Sequence, residues 1–294
     1  MVGAGSLSRV LCRSLVQIGM RLDHVVARTK ASAQRIIQEN ETGGAVEFSD
    51  FKKPASSLLL LCVPDDALAS VSERLARLGS WKGITVLHTS GVHNKNVLGS
   101  LAERGAATGS FHPLQTFLGD EDRSAFKGIT VGIEGDEAAV ACGKSLANSL
   151  MAEPLEVPSE GKALYHAAAA LASNAAVTLM AVSEEMWAAS LGHSSNFLDA
   201  LGPLVEQSVK NTLSKGPSAA LTGPISRGDI GTVTAHLQAI SKSLPHMKAL
   251  YGSIATETVH LAMRSGRISA EVAVALLDVI SDHLSGNDSI EHHP

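Results

Sequence analysis

The chain opens with Met1-Val2-Gly3-Ala4-Gly5-Ser6-Leu7-Ser8, and this stretch decides the fold. It has the spacing G-x-G-x-x-S, in which the first glycine allows a tight strand-to-helix turn and the second allows a pyrophosphate to approach closely. The apolar pattern of residues 7–18 predicts a helix directly after this loop. Since a helix N-terminus presents free N–H groups to phosphate, the opening predicts a dinucleotide site. Its expected residues are Gly3, Gly5, Ser6 and Leu7.

Short apolar runs alternate with helical patterns through the first half of the chain. The runs cover residues 24–27, 58–63, 84–88, 107–111, 129–133 and 155–157. Continuous apolar strands between helices are typical of a parallel sheet that is covered on both faces. Only Met1 and Val2 precede the first glycine, so we expect a truncated first strand. The pattern predicts an α/β Rossmann-like, doubly wound parallel sheet.

Helical segments rich in alanine and leucine replace the strands after Pro158, over about 160–191, 196–214, 229–242, 244–265 and 269–284. We therefore predict a Rossmann-like dinucleotide-binding domain at 1–158 and an all-α C-terminal domain at 159–294. The apolar stretch 163–182 is about long enough to span a bilayer, but it consists largely of alanine. We interpret it as a buried, close-packed helix, with a membrane span as the alternative. The polar ending 286–294 is predicted to be frayed.

Composition narrows the class of function. With 294 residues, 45% of them hydrophobic, the chain can bury a sizeable core. A net charge of −5 and an aromatic share of 3% argue against binding of nucleic acid. The three cysteines, Cys12, Cys62 and Cys142, lie far apart, which excludes a disulfide framework and favours a reducing, cytoplasmic location. No histidine spacing is typical of a metal site, so we expect no metal, and we expect no membrane partner.

The second predicted strand ends in Arg28-Thr29-Lys30. Loops that prefer NAD place an acidic residue here to bind the ribose hydroxyls, and this chain has no acid between Asp23 and Glu39. Two cations and a hydroxyl are suited to a 2′-phosphate instead. The pattern favours NADP as the cofactor, and a solvated basic turn is the alternative.

Polar clusters follow three predicted strands, at the edge where open α/β sheets bind ligands. They are Val63-Pro64-Asp65, His88-Thr89-Ser90-Gly91 and Ser110-Phe111-His112-Pro113. We predict cofactor contacts from Val63, Pro64, Asp65 and Ser90, and a catalytic position for His112. Each residue could also serve as an ordinary turn residue, helix cap or structural hydrogen-bonding group.

The first helix after Pro158 carries Lys162, Tyr165, His166, Ser173 and Asn174. At about 100° per residue, His166 and Ser173 share a face with Lys162, whereas Asn174 is turned away. A buried ammonium needs water, a carboxylate or a ligand, and burial lowers its pKa into the range of a general acid. We predict Lys162 and His166 as catalytic residues and Ser173 and Asn174 as substrate contacts. The alternative is a surface lysine near a helix start.

The loop 221–229 contains Arg227 and Asp229. An arginine there could bind a substrate carboxylate. Alternatively, Asp229 caps the following helix and Arg227 is exposed. The two interpretations stay open at this point.

Taken in order, these motifs resemble a bacterial-type family that joins a Rossmann-like NADP domain to a helical domain of unknown function. The motifs are Gly3-Ala4-Gly5, Val63-Pro64-Asp65, His88-Thr89-Ser90-Gly91, Ser110-Phe111-His112-Pro113-Leu114, Lys162-x-x-Tyr165-His166, Ser173-Asn174 and Thr222-Gly223-Pro224-x-x-Arg227-Gly228-Asp229. The resemblance places the chain in the 6-phosphogluconate dehydrogenase-like superfamily, with ketopantoate reductase, pyrroline-5-carboxylate reductase and prephenate dehydrogenase as relatives.

The resemblance implies an NADPH-dependent oxidoreductase that transfers hydride to the carbonyl of a small 2-oxo acid, as ketopantoate reductase does. An imine reductase of the pyrroline-5-carboxylate type and a non-catalytic NADP-binding sensor or scaffold are the alternatives. The lysine of the superfamily matches Lys162, but His166 stands where an asparagine is usual, so a direct transfer of substrate does not follow. The resemblance also implies that Arg227 contacts a substrate carboxylate. It implies that residues 1–158 bind NADP and that residues 159–294 serve substrate binding and dimerisation, in a homodimer.

Overall fold

The structure is a computed structural model, and it describes residues 1–285. The predicted frayed ending, 286–294, therefore lies outside the described residues. Contacts divide the chain into two compact units, Met1–Ala175 and Ala176–Pro294. This division assigns residues 159–175 to the N-terminal unit. The domain limits at Pro158 mark the change from strands to helices, and they stay a prediction.

The N-terminal unit combines seven short strands with helices. The strands are β1 His24–Ala27, β2 Gly44–Glu47, β3 Leu58–Leu61, β4 Thr85–His88, β5 Ala107–Pro113, β6 Thr130–Gly135 and β7 Glu153–Glu156. The helices are α1 Ser6–Gln17, α2 Lys30–Asn40, α3 Leu68–Ala76, α4 Gly99–Ala102, α5 Glu137–Ser149 and α6 Lys162–Ala172.

Val2 joins two groups of strands into one sheet. It forms parallel bridges to Val26 of β1 and to Leu61 of β3. The order across the sheet is therefore β2-β1-Val2-β3-β4-β5-β6-β7. This is the doubly wound order of a Rossmann-like fold, and it confirms the predicted fold class. Val2 forms only this bridge between β1 and β3 at the position of the expected first strand.

Two features of the sheet differ from the prediction. Strand β6 runs antiparallel to β5, whereas the other pairs are parallel. Parallel neighbours need a long crossover, usually a helix, and residues 114–129 contain none, so the chain returns in the opposite direction. Strand β2 was also not predicted, because Gly44–Glu47 is short and only half-buried.

Alternate side chains of the central strands enter two hydrophobic cores. Leu60 and Leu87 belong to the core on one face, and Leu59, Leu61 and Val86 belong to the core on the other. A sheet buried on both faces explains why its strands read as continuous apolar runs. The sheet is thereby fixed on both sides, and its carboxyl edge provides a rigid support for polar side chains.

The C-terminal unit is helical over its described residues, and this confirms the all-α prediction for the region. Its helices are α7 Asn174–Leu191, which begins at the end of the N-terminal unit, α8 Phe197–Lys215, α9 Pro217–Ala220, α10 Ile230–Ser243, α11 Lys248–Arg264 and α12 Ala270–Ser285. The core of the unit lies between α10, α11 and α12 and includes Val233, Leu237, Val259 and Leu276.

The prediction of a buried helix over 163–182 was wrong. The stretch forms two helices, α6 and α7, that meet at Ser173, and α7 has no buried residue within the chain. Leu164 is 79% exposed and Val177 is 73% exposed. Among the described residues, one helical stretch, Ser159–Leu191, is long and apolar enough to span a membrane by length and composition alone. Its apolar composition does not lead to burial inside the single chain.

Candidate functional site

The glycine loop lies at the carboxyl end of the central bridge. Gly3 donates to the Val26 carbonyl at 2.8 Å and has a φ of +117°, which favours glycine. A Cβ on Gly3 would lie 2.0 Å from the Cys62 carbonyl oxygen, so only glycine fits between the strands. A Cβ on Gly5 would meet nothing within 4 Å. The loop therefore packs tightly at Gly3 and is open at Gly5.

The first turn of α1 begins at this opening. Gly5 is the N-cap residue, and no side chain caps the helix. Ser6 turns its hydroxyl away and donates to the Leu118 carbonyl at 3.1 Å, which ties the loop at Leu118 to the helix start. Leu7 packs against the core. Gly5, Ser6 and Leu7 can thus offer backbone N–H groups to a phosphate, whereas their side chains serve the fold.

The predicted basic turn lies at the end of β1, the strand next to the glycine loop. Arg28 and Lys30 are exposed, and neither forms an ion pair within residues 1–285. Thr29 caps α2, because its hydroxyl accepts from the Ser32 N–H at 3.3 Å. The side chains of Arg28 and Lys30, together with the uncapped N-terminus of α1, fit the phosphates of NADP. Thr29 has a structural role in addition to any contact with a ligand.

Lys162 is buried where β4, β5 and α6 meet. Its side chain is 1% exposed, and its ammonium donates to the Ser90 carbonyl at 3.1 Å and to Ser110 Oγ at 2.9 Å. Burial lowers the pKa of Lys162 from its usual 10.5 to about 8, while the Glu134 and Asp65 carboxylates oppose this shift. The group can therefore hold and release a proton near neutral pH.

His88 shapes the loop that receives this ammonium. Its Nδ1 accepts from the Ser90 N–H at 3.2 Å, and its Nε2 lies 3.3 Å from the Asn94 carbonyl. Burial, together with the nearby Lys162 ammonium, lowers the pKa of His88 to about 3. The ring is therefore neutral, with its proton on Nε2. Ser90 uses its N–H, its carbonyl and its hydroxyl within the protein, so its role here is to hold Lys162.

Three rings lie beside Lys162, of which His112 stands on β5 and Tyr165 and His166 stand on α6. His112 Nδ1 is 3.0 Å from the Tyr165 hydroxyl, and the His112 ring meets the His166 ring edge-on at 5.7 Å. A Cβ on Gly91 would lie 2.3 Å from His166 Cδ2 and 2.7 Å from His112 Nε2. The two imidazoles therefore pack directly on the Gly91 backbone, and no side chain fits at that position.

Glu134 is a buried carboxylate of β6 near this cluster. It is 3% exposed, accepts from Ser159 Oγ at 2.6 Å and accepts from the Lys95 N–H at 2.8 Å. Ser159 stands in the turn before α6, and Lys95 opens the segment after the Ser90 loop. Glu134 thus holds both segments that enclose Lys162 and supplies the main negative charge that acts on the ammonium.

Asp65 contributes from the neighbouring strand end. Val63 and Pro64 follow β3, and Asp65 begins a short 3-10 helix, Asp65–Ala67. The Asp65 carboxylate acts electrostatically on Lys162 and His112. The predicted residues at the ends of β3, β4 and β5 therefore lie along one edge of the sheet.

The predicted substrate contacts lie at the end of α6 and in the C-terminal unit. Ser173 ends α6 about 16 Å along the helix axis from Lys162, and Asn174 begins α7. Arg227 is exposed in the C-terminal unit, where Asp229 caps α10 by accepting from the Thr232 N–H at 3.0 Å. Substrate contacts by Ser173, Asn174 and Arg227 stay predictions. Within residues 1–285, no group of three or more potential ligands is placed to hold a metal ion.

Sequence reasoning missed Ser110, Glu134, Gly91, Gly132 and Tyr165 as members of the site. Three of them stand inside motifs that were noticed but not given roles. Glu134 carried a weak signal, because it is the acid that directly follows the apolar run 129–133. Gly132 carried none, since only the structure shows that a Cβ there would lie 2.2 Å from the Tyr165 hydroxyl.

Comparisons with known proteins agree with this architecture. Residues 1–113 match the model of a Rossmann-like domain, and residues 129–258 match DUF2520, a domain of unknown function. The chain therefore carries a Rossmann-like domain followed by a DUF2520 domain, and Glu134 and Lys162 lie within the second match. None of the curated proteins matches the chain.

Solved structures share the fold over nearly the whole chain. Protein TM1727 from Thermotoga maritima is 25% identical, with a TM-score of 0.71 and coverage of 91% of this chain and 98% of that chain. A proposed NADP oxidoreductase from Bacteroides fragilis is 24% identical, with a TM-score of 0.73 and coverage of 89% and 96%. An imine reductase from Pseudomonas sp. is 18% identical, with a TM-score of 0.57 and coverage of 97% and 93%.

Proposed function

We propose that this chain, which joins a Rossmann-like domain to a DUF2520 domain, is an NADPH-dependent oxidoreductase that reduces the carbonyl of a small 2-oxo acid, with ketopantoate as the leading candidate. The observation that carries the proposal is the Lys162 ammonium, buried at the carboxyl ends of β4 and β5. Ligands of open α/β sheets bind beyond these ends. The NADP oxidoreductase and the imine reductase that share the fold are consistent with this class of reaction.

Gly5 and the first turn of α1 are proposed to hold the pyrophosphate of the cofactor. The helix has no side-chain cap, and the space over Gly5 is open, so backbone N–H groups are accessible there. Arg28 and Lys30 are proposed to bind the 2′-phosphate through charge-assisted hydrogen bonds. When bound, NADPH would supply the hydride.

Lys162 is proposed to supply the proton. With a pKa of about 8 it is mostly an ammonium at neutral pH, and it releases a proton more readily than an ordinary lysine. Ser90 and Ser110 accept two of its three hydrogens, and no other residue described by the structure accepts the third. This third hydrogen would be donated to the substrate oxygen and transferred as negative charge develops on it.

The charge at Lys162 favours a carbonyl over an imine. An ammonium stabilises the alkoxide that develops when a carbonyl is reduced, but it repels the iminium cation that is the reactive form of an imine. His112 adds no second positive charge at neutral pH, because burial lowers its pKa to about 4. A 2-oxo acid is therefore the preferred substrate class, and a cyclic imine such as pyrroline-5-carboxylate is the alternative.

The test compares cofactors, substrates and one variant. We expect the protein to bind NADPH more tightly than NADH and to oxidise NADPH with ketopantoate faster than with pyrroline-5-carboxylate. Lys162→Ala should lower turnover by about 100-fold or more and leave NADPH affinity within about twofold. Lys127→Ala, at an exposed lysine of the same unit, is the control and should retain activity. Binding of NADPH without turnover of any 2-oxo acid or imine would favour the sensor or scaffold alternative.

We also propose that a second copy of the chain covers the exposed apolar residues of α7 and α8. These include Val177, Leu204 and Leu213, of which Leu213 is 83% exposed. A monomer rarely leaves such an apolar surface in water. Sedimentation should give the mass of a homodimer, and Leu213→Asp should shift it toward the monomer. A monomeric wild type that binds lipid vesicles would overturn this assignment in favour of a membrane contact.

A further inference from the structure

His112 and Tyr165 form a hydrogen-bonded pair that the proposed chemistry has not yet used. The distance between His112 Nδ1 and the Tyr165 hydroxyl is 3.0 Å, and the rings meet edge-on at 5.6 Å and 81°. His112 lies on β5 and Tyr165 lies on α6, one turn from Lys162. The pair therefore joins the sheet edge to the helix that carries the ammonium.

Both members of the pair are neutral at the pH of the cell. Burial lowers the pKa of His112 to about 4, with Lys162 and His166 acting in the same direction. Burial also raises the pKa of Tyr165 to about 12, and the nearby Gly132 backbone acts in the opposite direction. A neutral imidazole carries one proton, so the question is which ring nitrogen holds it.

The surroundings of Tyr165 decide the position of that proton. The hydroxyl packs against the Gly132 backbone, because a Cβ on Gly132 would lie 2.2 Å from it. Within residues 1–285, His112 Nδ1 is the one acceptor given for the hydroxyl hydrogen. A half-buried phenol that donates to Nδ1 leaves the imidazole proton on Nε2.

Nε2 of His112 lies on the side of Gly91 and His166. A Cβ on Gly91 would stand 2.7 Å from this nitrogen, and no described residue accepts a hydrogen bond from it. The nitrogen is thus a neutral donor at the carboxyl edge of the sheet, close enough to Lys162 for the ammonium to lower the pKa of His112. A donor of this kind can bind an oxygen without exchanging its proton at neutral pH.

We propose that Tyr165 is a positioning residue that holds His112 in the Nε2–H form, so that His112 donates a hydrogen bond to a second oxygen of the substrate. The inference rests on the proposed function and deepens it. Lys162 would donate to the carbonyl oxygen of the substrate, and His112 would donate to an oxygen of the adjoining carboxylate. Two donors of fixed direction suit two neighbouring oxygens, as a 2-oxo acid presents. A simple ketone or imine offers no second oxygen to His112.

The chain contains a matched control pair in its C-terminal unit. In the C-terminal unit, His236 Nδ1 lies 2.8 Å from the Tyr251 hydroxyl, with the rings at 6.1 Å and 86°. Tyr165→Phe and Tyr251→Phe therefore remove the same hydroxyl from the same kind of contact. Only the first variant should affect the site.

The experiment is ¹⁵N NMR of the full chain with ¹⁵N-labelled histidine side chains. The His112 signals are assigned by their loss in His112→Gln. In the wild type we expect protonated Nε2 and unprotonated, hydrogen-bonded Nδ1. Tyr165→Phe should shift the His112 Nδ1 signal and mix the two tautomers, whereas Tyr251→Phe should leave His112 unchanged. A wild-type proton on Nδ1, or His112 signals identical in Tyr165→Phe, would overturn the positioning role whether or not the protein is an enzyme.

A second measurement tests donation to the substrate. Ketopantoate is titrated in the presence of NADP+, a pair that cannot react, and the His112 Nε2–H signal is followed. We expect this signal to move on binding, and we expect Tyr165→Phe to raise the ketopantoate Kd by about tenfold, the effect of one lost hydrogen bond. Binding that leaves Nε2–H unmoved, or no binding at all, would overturn donation by His112. Loss of NADP+ binding as well would instead point to failure of the proposed function.

Discussion

Replacing Lys162 by methionine should remove a pH dependence from the stability of the N-terminal unit. In the folded chain burial lowers the pKa of Lys162 from 10.5 to about 8. Such a difference corresponds to about 3 kcal/mol, since a tenfold change in an acid constant is worth about 1.4 kcal/mol. The folded state therefore carries this cost in full below about pH 8, where the buried group is charged.

The sign of the effect follows from proton binding. Between about pH 8 and pH 10.5 the unfolded chain still binds the Lys162 proton and the folded chain does not. Stability of the wild type relative to Lys162→Met should therefore rise with pH across this interval, by up to about 3 kcal/mol. Below pH 8 the difference should be constant. Its absolute value there is less informative, because methionine also leaves the Ser90 and Ser110 acceptors unpaired, at about 1 to 3 kcal/mol each.

Urea unfolding followed by tryptophan fluorescence can measure this difference. The chain has two tryptophans, and Trp81 is fully buried in the N-terminal unit. A Trp187→Phe background leaves Trp81 as the reporter. Unfolding curves for the wild type and Lys162→Met at several pH values from 7 to about 10.5 give the difference in free energy. Lys127→Met, at an exposed lysine, should show no such rise. A difference that stays flat across the interval would refute a destabilised, buried ammonium.

Three further substitutions test separate parts of the site. Gly91→Ala places a carbon 2.3 Å from His166 Cδ2. Turnover should therefore fall by more than about tenfold, while NADPH affinity is retained. Unchanged turnover would mean that the His112 and His166 rings can shift to accommodate the methyl group. Glu134→Gln removes the main negative charge that favours the Lys162 ammonium. The alkaline limb of the pH profile of kcat should therefore move to lower pH by about one unit. An unmoved limb would exclude this coupling. Arg28→Asp should weaken NADPH by about tenfold or more and leave NADH unchanged in a fluorescence titration; equal effects would contradict a 2′-phosphate contact.

The sheet could be predicted from the sequence because its strands are buried on both faces and read as apolar runs. The glycine loop was enough to predict a dinucleotide-binding type of sheet with a short first strand. The antiparallel direction of β6 was not predicted, although the absence of a helical pattern in residues 114–129 could have indicated it. Strand β2 is half-buried and short, so local pattern carries little information about it.

Helix composition was a poor guide to burial after Pro158. Residues 163–182 are apolar, and this composition predicts a helix that the chain itself buries. The break at Ser173 and the exposure of α7 depend on tertiary packing, which apolar content does not specify. An apolar helix shows that some surface must cover it, without showing which molecule provides that surface.

Helical spacing was a better guide to the site than any single motif. Lys162 and His166 were predicted on one face, and both contact the Ser90–Gly91 segment in the structure. Glu134 could not be found in this way, because its partners stand 39 and 25 residues away along the chain. Contacts between distant segments need coordinates, whereas contacts along one helix need only its period.

The two hydrogen bonds of Glu134 have a mechanical consequence. One carboxylate fastens the segment at Lys95 and the turn at Ser159, so the two segments must shift together or break a buried contact. A ligand that displaces the Gly91 segment would therefore also displace the start of α6, the helix that carries Lys162. Ligand binding and the position of the Lys162 ammonium would then be coupled through the Glu134 side chain.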